Sequence, residues 1–197
     1  MNTMEDDDFR KIKELYKGEE DPVPAHSFEN HVLEVYENAK ELLNGREVDE
    51  EVVEYAALLH DVGRQFPGEK GHAEKGAEVA RKFLTEELDK DEEFVEKVSE
   101  CIRHHSNRPH LDPPTREAEL VWAADKMHAA GATGLCRFLL TLGAKKYSPE
   151  DAVDILERRV FEAEERLNRF GFGDLAEELE ILKDFVKQYK EENHEPD

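Results

Sequence analysis

Histidine and aspartate recur in this chain at positions where an ordinary helical protein keeps apolar residues. The stretch "EYAALLHDVGRQFPGEKGHAEKGAEVA", residues 54–80, carries an alanine- and leucine-rich pattern that ends in His60-Asp61, breaks at Gly63 and reaches His72. His60 continues the stripe of Val52, Ala56 and Leu59, and Asp61 lies about 100° further round the helix. Imidazole and carboxylate together suit Mn, Fe, Co, Ni or Zn, provided at least three such groups converge from packed elements. With 9 histidines in so acidic a chain, one His-Asp pair arises by accident, so the pair means little unless other ligands join it.

Other candidates exist. His31 lies three residues after Phe28 and four before Val35, on or beside an apolar face, where a histidine is either a satisfied core residue or a ligand. Asp125 follows Val121 by four in "ELVWAADKMHAAGATG". A carboxylate facing a core needs a salt bridge, here to Lys126 or an arginine, or a metal. In "ECIRHHS", His105 follows Cys101 by four and Ile102 by three and so points inward, while His104 continues the solvated stripe of Lys97 and Glu100. His72 begins a helix one turn before Gly76, which leaves room around it. Each is ambiguous singly; together, four histidines and two aspartates at helix ends or core faces are hard to explain as packing.

Bringing such side chains together is the task of helices, because helical periodicity dominates the chain. A short acidic-then-basic helix spans residues 5–17 and stops at Gly18; Ser27 caps a second running to Asn44; Asp49 starts a third to about Val62; a fourth covers 71–87. A fifth, with Phe94, Val98, Cys101 and Ile102 inward, ends near Ser106, before the proline-rich loop "NRPHLDPPT". Thr115 caps a helix to about His128, "AAGATG" (129–134) is a break, 135–146 is helical, Ser148-Pro149 opens a long helix to about Phe170, and Asp174 begins the last. With no strand alternation, repeat or linker between domains, the expectation is an all-α, single-domain orthogonal helical bundle. It divides into an N-terminal helix and linker (1–25), a core (26–145) and a C-terminal helical hairpin (146–197) that completes the same domain or offers a face for a homodimer. Trp122 and the Phe138, Leu139, Leu140 group read as plain core, and Cys101 and Cys136 as buried free thiols.

Hydrophobic residues make up 38 % of the chain and charged residues 39 %, a pattern of modest core and heavily charged surface rather than disorder. The net charge of −22 argues against nucleic acid as a general partner. No apolar run approaches a membrane span, and the start "MNTMEDDDFR" is too acidic for a signal peptide, so a cytoplasmic protein is expected.

The ligand candidates resemble the HD superfamily of metal-dependent phosphohydrolases, whose pattern is a His, a distant His-Asp and a later Asp. Here these are His31 in "HSFENHVLEVYENA", His60-Asp61 in "LLHDVGR" and Asp125 in "WAADKMHAAGATG". The chain is also similar to the subset with two extra histidines, filled by His72 in "GHAEKGAEVA" and His105 in "IRHHS". The resemblance extends over about residues 26–140, and "ADKMHAAGATGLCRFL" resembles the uncharacterised bacterial and archaeal HD hydrolases. It implies one or two divalent metals, the first held by His31, His60, Asp61 and Asp125, the second by His72 and His105 with Asp61 bridging. It further implies cleavage of a phosphate mono- or diester, above all of a nucleotide, by a metal-bound hydroxide. Such a substrate needs positive groups: Arg64 and Lys126 are the choices, with Arg103 and Arg108 beside the His105 helix end and His110 in a lid, although each also reads as a surface ion pair or connector. His128 reads as an outer contact or a helix end, and His194 as tail. The same ligands would also serve a di-iron oxygenase of this superfamily, or a non-catalytic sensor that binds metal or nucleotide.

Overall fold

A computed structural model describes residues 4–17, 27–66, 70–106 and 112–193. The stop at Gly18, Arg108, His110 with most of its proline loop, and His194 lie outside the described residues. Among those described, all regular structure is helical, as expected for an all-α chain. The chain divides into two compact units, Met1–Asp125 and Lys126–Asp197.

In the first unit, α1 (Asp6–Glu14) begins with Asp6, Asp7 and Asp8 and ends with Lys11 and Lys13, charges that complement the helix dipole. It is shorter than the expected 5–17. The Ser27 cap forms as read, its Oγ accepting from the Asn30 N–H at 3.2 Å. The capped segment does not open with a regular α-helical turn. Phe28–Val32 is a π-turn, with Val32 N–H bonded to Ser27 O at 3.4 Å, leading into α2 (Leu33–Leu43). Such widened turns concentrate at functional sites. The third helix, α3 (Glu50–Leu59), is capped by Asp49 and buried at every position from Val52 to Leu59. Its near-continuous apolar run therefore marks a central helix, and fully enclosed side chains such as Leu58 and Leu59 each stabilise the fold by about 1.5–3 kcal/mol. It ends sooner than expected, because the chain tightens into a 3₁₀ turn over Val62–Gln65. α4 (His72–Glu86) and α5 (Glu92–His104) pack against each other, and α5 packs on α3. α6 (Arg116–Ala129) starts at Thr115, whose Oγ1 accepts from the Ala118 N–H at 3.2 Å, and its residues 120–124 are buried. Trp122 among them is fully enclosed core, as read.

In the second unit, α7 (Gly131–Ala144) begins inside the stretch expected to be a break. The turn needs only Ala130, extended, and Gly131 at φ +65°. α8 (Pro149–Arg169) is capped by Ser148 with Pro149 in its first turn, a position where proline's missing N–H costs nothing. A 3₁₀ stretch, Gly173–Leu179, leads to α9 (Glu180–Asn193), which returns along α8 and is tied to it by Lys183–Glu164 and Lys190–Glu157, each at 2.6 Å. The expected hairpin is therefore formed. Two core expectations fail here. Phe138 and Leu139 are half-buried and Leu140 is 66 % exposed, because α7 packs on α9 along one face and Leu140 lies off it. Cys136 on the same helix is exposed, whereas Cys101 is buried as expected.

Candidate metal centre

His60 and Asp61 emerge directly from the end of α3. Asp61 sits at φ −102°, ψ 7°, the sparsely populated bridge region in which active-site residues recur. Two residues on, a Cβ at Gly63 would stand 2.0 Å from His72 O and 2.5 Å from Gly76 N. The 3₁₀ turn and the first turn of α4 thus touch main chain to main chain, and that contact brings His72 beside Asp61. The room that Gly76 leaves is filled rather than left open, since a Cβ there would meet Ile102 Cγ2 at 3.2 Å and Gly63 N at 3.3 Å. His31 arrives on the π-turn, His105 at the end of α5, and Asp125 on α6, which Asn38 of α2 ties in place by donating to Ala124 O at 3.2 Å.

The six side chains converge. His31, His60 and Asp125 form one group whose ligand atoms all lie within 4.8 Å of one another, and Asp61, His72 and His105 form another. Asp61, of the second group, also reaches the first: its Oδ2 is 3.4 Å from His31 Nε2 and 3.9 Å from His60 Nε2, while its Oδ1 is 3.6 Å from both His72 Nε2 and His105 Nε2. His31 Nε2 is also 3.5 Å from Asp125 Oδ1 and 3.0 Å from His60 Nε2.

The donor chemistry fits a divalent cation. A carbonyl oxygen can only accept, so His60 Nδ1 must donate to Ala57 O (2.7 Å), and His105 Nδ1 to Ile102 O (2.6 Å). In each neutral ring the lone pair is therefore on Nε2, the atom turned to Asp61. Lone pairs thus face carboxylate oxygens at separations too long for hydrogen bonds. An ion about 2.1 Å from two ligands holds them roughly 3.0–3.4 Å apart, close to these spacings. His60 and His72 are held neutral for such a role: burial pushes His60 down to about 3, and burial followed by the Arg64 guanidinium does the same to His72.

Arg64 brings positive charge directly onto the cluster. Its Nε donates to Asp61 Oδ2 at 2.6 Å and its Nη2 to His72 Nε2 at 3.4 Å. Lys126 follows Asp125 on α6 and is half-buried. Arg103 is engaged by Glu74 and Glu100, and the His128 carbonyl accepts from Arg137 at 3.2 Å. His104 does not join the cluster. It is buried rather than solvated, because its Nδ1 turns back to Glu100 O at 2.9 Å. Sequence reading passed over Tyr16, just beyond α1. Its hydroxyl donates to Leu58 O at 2.8 Å, and burial, then the Asp61 carboxylate, raise its pKa. Nothing in the local pattern around "ELYKG" signals that placement.

An HD domain family model matches residues 28–130, a span that contains all six converging side chains, and the chain belongs to the HD domain family. It is 30 % identical over 148 residues to Ribonuclease Y of Petrotoga mobilis, covering 74 % of this chain and 24 % of that protein. The chain thus spans about a quarter of that relative's length. A predicted HD superfamily hydrolase from an uncultured Thermotogales bacterium is similar in structure, with a TM-score of 0.58 and 27 % identity, covering 93 % of this chain and 89 % of the other. Bacillus subtilis YpgQ, solved in complex with ADP, shares the fold at a TM-score of 0.68 and 20 % identity, covering 94 % and 97 % of the two chains. No described helix is long and apolar enough to cross a membrane.

Proposed function

We propose that this chain is a metal-dependent phosphohydrolase that cleaves a phosphate mono- or diester, with nucleotides as its substrate class. The observation that carries the reading is the sharing of Asp61 between two donor groups, one carboxylate oxygen turned to each. In this reading His31, His60, Asp125 and Asp61 would hold one divalent transition-metal cation, and His72 and His105, together with Asp61, would hold a second. Such ions, when bound, would neutralise charge on phosphoryl oxygens and acidify water.

The chain's own residues do the rest. The Ala57 and Ile102 carbonyls fix the ring orientation of His60 and His105. Enclosure of His31, His60, Asp61 and His105 excludes bulk water from the inner side of the cluster. Arg64 and Lys126 offer cationic groups to the anionic substrate, which a chain of net charge −22 would otherwise repel. A nucleotide is favoured because YpgQ, of the same fold, binds ADP.

The test is hydrolysis by chelator-stripped protein reloaded with Mn²⁺ or Ni²⁺. Substrates are a nucleotide panel, a chromogenic phosphate ester and, because one relative is a ribonuclease, a short single-stranded RNA. Metal-dependent release from a nucleotide is expected. No cleavage by a sample verified to carry metal rejects the reading.

A further inference from the structure

We propose that Arg64 is a two-position residue. Lying across Asp61 and His72 it closes the cation site on the His72 side, and a cation entering that site releases its guanidinium toward the anionic substrate. This rests on the reading of the cluster as a cation centre and concerns how that centre is filled.

The reason is a count of lone pairs. A neutral imidazole nitrogen has one. On His72 Nε2 it accepts from Arg64 Nη2 at 3.4 Å, and the same lone pair would have to ligate a metal. The two uses exclude each other. Asp61 Oδ2 is drawn on as well, by Arg64 Nε at 2.6 Å, and a guanidinium so near a divalent ion would also be repelled by it. Toward the other group Arg64 touches Asp61 Oδ2, a carboxylate oxygen that keeps a further lone pair for a metal, whereas the ring nitrogens of His31 and His60 face each other at 3.0 Å and His31 faces Asp125.

Retraction is open to Arg64. Its side chain is 29 % exposed while Asp61 is 1 % exposed, so the guanidinium sits at the outer edge of the cluster and can leave without disturbing buried side chains. Once displaced, its planar fork of N–H donors suits two phosphoryl oxygens at once. Cation and anion binding are thereby coupled through one side chain, and the coupling is reciprocal.

Mn²⁺ alone, titrated calorimetrically into the chelator-stripped full chain, tests this. Two binding events are expected, the weaker abolished by His72→Ala. Arg64→Met should tighten the weaker event about tenfold, the factor by which the arginine-closed state lowers apparent affinity, and the tighter one, which loses a competitor at Asp61 Oδ2 but at no imidazole, by a smaller factor of about two to three. Arg64→Lys, which keeps the charge but lacks the fork, should also tighten the weaker event. Inorganic phosphate added to the Mn²⁺-saturated protein should bind about tenfold more weakly to Arg64→Met than to the unsubstituted chain. Two Mn²⁺ events that Arg64→Met leaves unchanged, or shifts equally, overturn the two-position role and leave the cation centre standing. No Mn²⁺ binding by any of these proteins overturns both.

Discussion

His31 and Asp125 lie on helices far apart in the sequence, yet His31 Nε2 and Asp125 Oδ1 are 3.5 Å apart. Each alone is a polar group on a core face, costly to bury without a partner. Their meeting beside His60 turns three such costs into one shared electron-rich site.

Ligand deletions should therefore separate the two groups. Asp125→Ala is expected to lose the metal held with His31 and His60 and to keep the other, whereas Asp61→Ala weakens both. Loss of a direct ligand should lower activity by more than the roughly 10–100-fold typical of losing a ligand's supporting partner. Metal content of the purified variants gives the readout, and equal stoichiometry in the two would contradict the assignment.

The metal-free protein should lose stability in acid through its buried rings. His60 has a folded-state pKa of about 3 against an ordinary value of 6.5. Between those values the unfolded chain binds the proton and the folded chain does not. The contribution is thus complete above about pH 6.5 and drains as pH falls toward 3, at up to about 1.4 kcal/mol per pH unit. Urea unfolding of chelator-treated protein at about pH 7 and about pH 5 should show a smaller loss for His60→Gln than for the unsubstituted chain.

Gly63→Ala should be severe. The added methyl would meet His72 O at 2.0 Å and Gly76 N at 2.5 Å, main-chain atoms that cannot swing aside. A loss of about 3 kcal/mol is expected in urea unfolding, together with weaker metal binding on the His72 side. Tolerance of alanine on both counts would show that the turn and α4 do not depend on this close approach.

The two thiols should differ sharply. Cys136 is exposed, whereas Cys101 is buried and its burial raises the thiol pKa. A maleimide should label one cysteine per native chain and both after unfolding, checked by mass spectrometry.

Much of this was legible because metal-type side chains break helical stripes visibly. His60 continues Val52–Ala56–Leu59, His105 continues Cys101 and Ile102, and both stripes face inward as read. What stayed hidden depends on tertiary contact or on small backbone departures. The π-turn carrying His31 leaves no mark in "FENHV", and the chain cannot announce that Arg64 bonds to Asp61 and His72. His104 escaped for a local reason: stripe logic assigns a face but not a ring that folds back to its own helix carbonyl. Leu140 and Cys136 were misread because periodicity reports which residues are apolar, not whether another helix arrives to cover them.

Helix α3, enclosed on every side from Val52 to Leu59, has one more implication. Amide protons deep in such a segment exchange with solvent only through the largest openings of the fold. The His60-Asp61 pair hangs from the end of that enclosed segment, so breathing at the periphery should leave its anchor shut. A chain can in this way keep its chemistry in register through partial fluctuations that would scatter a site carried on loops.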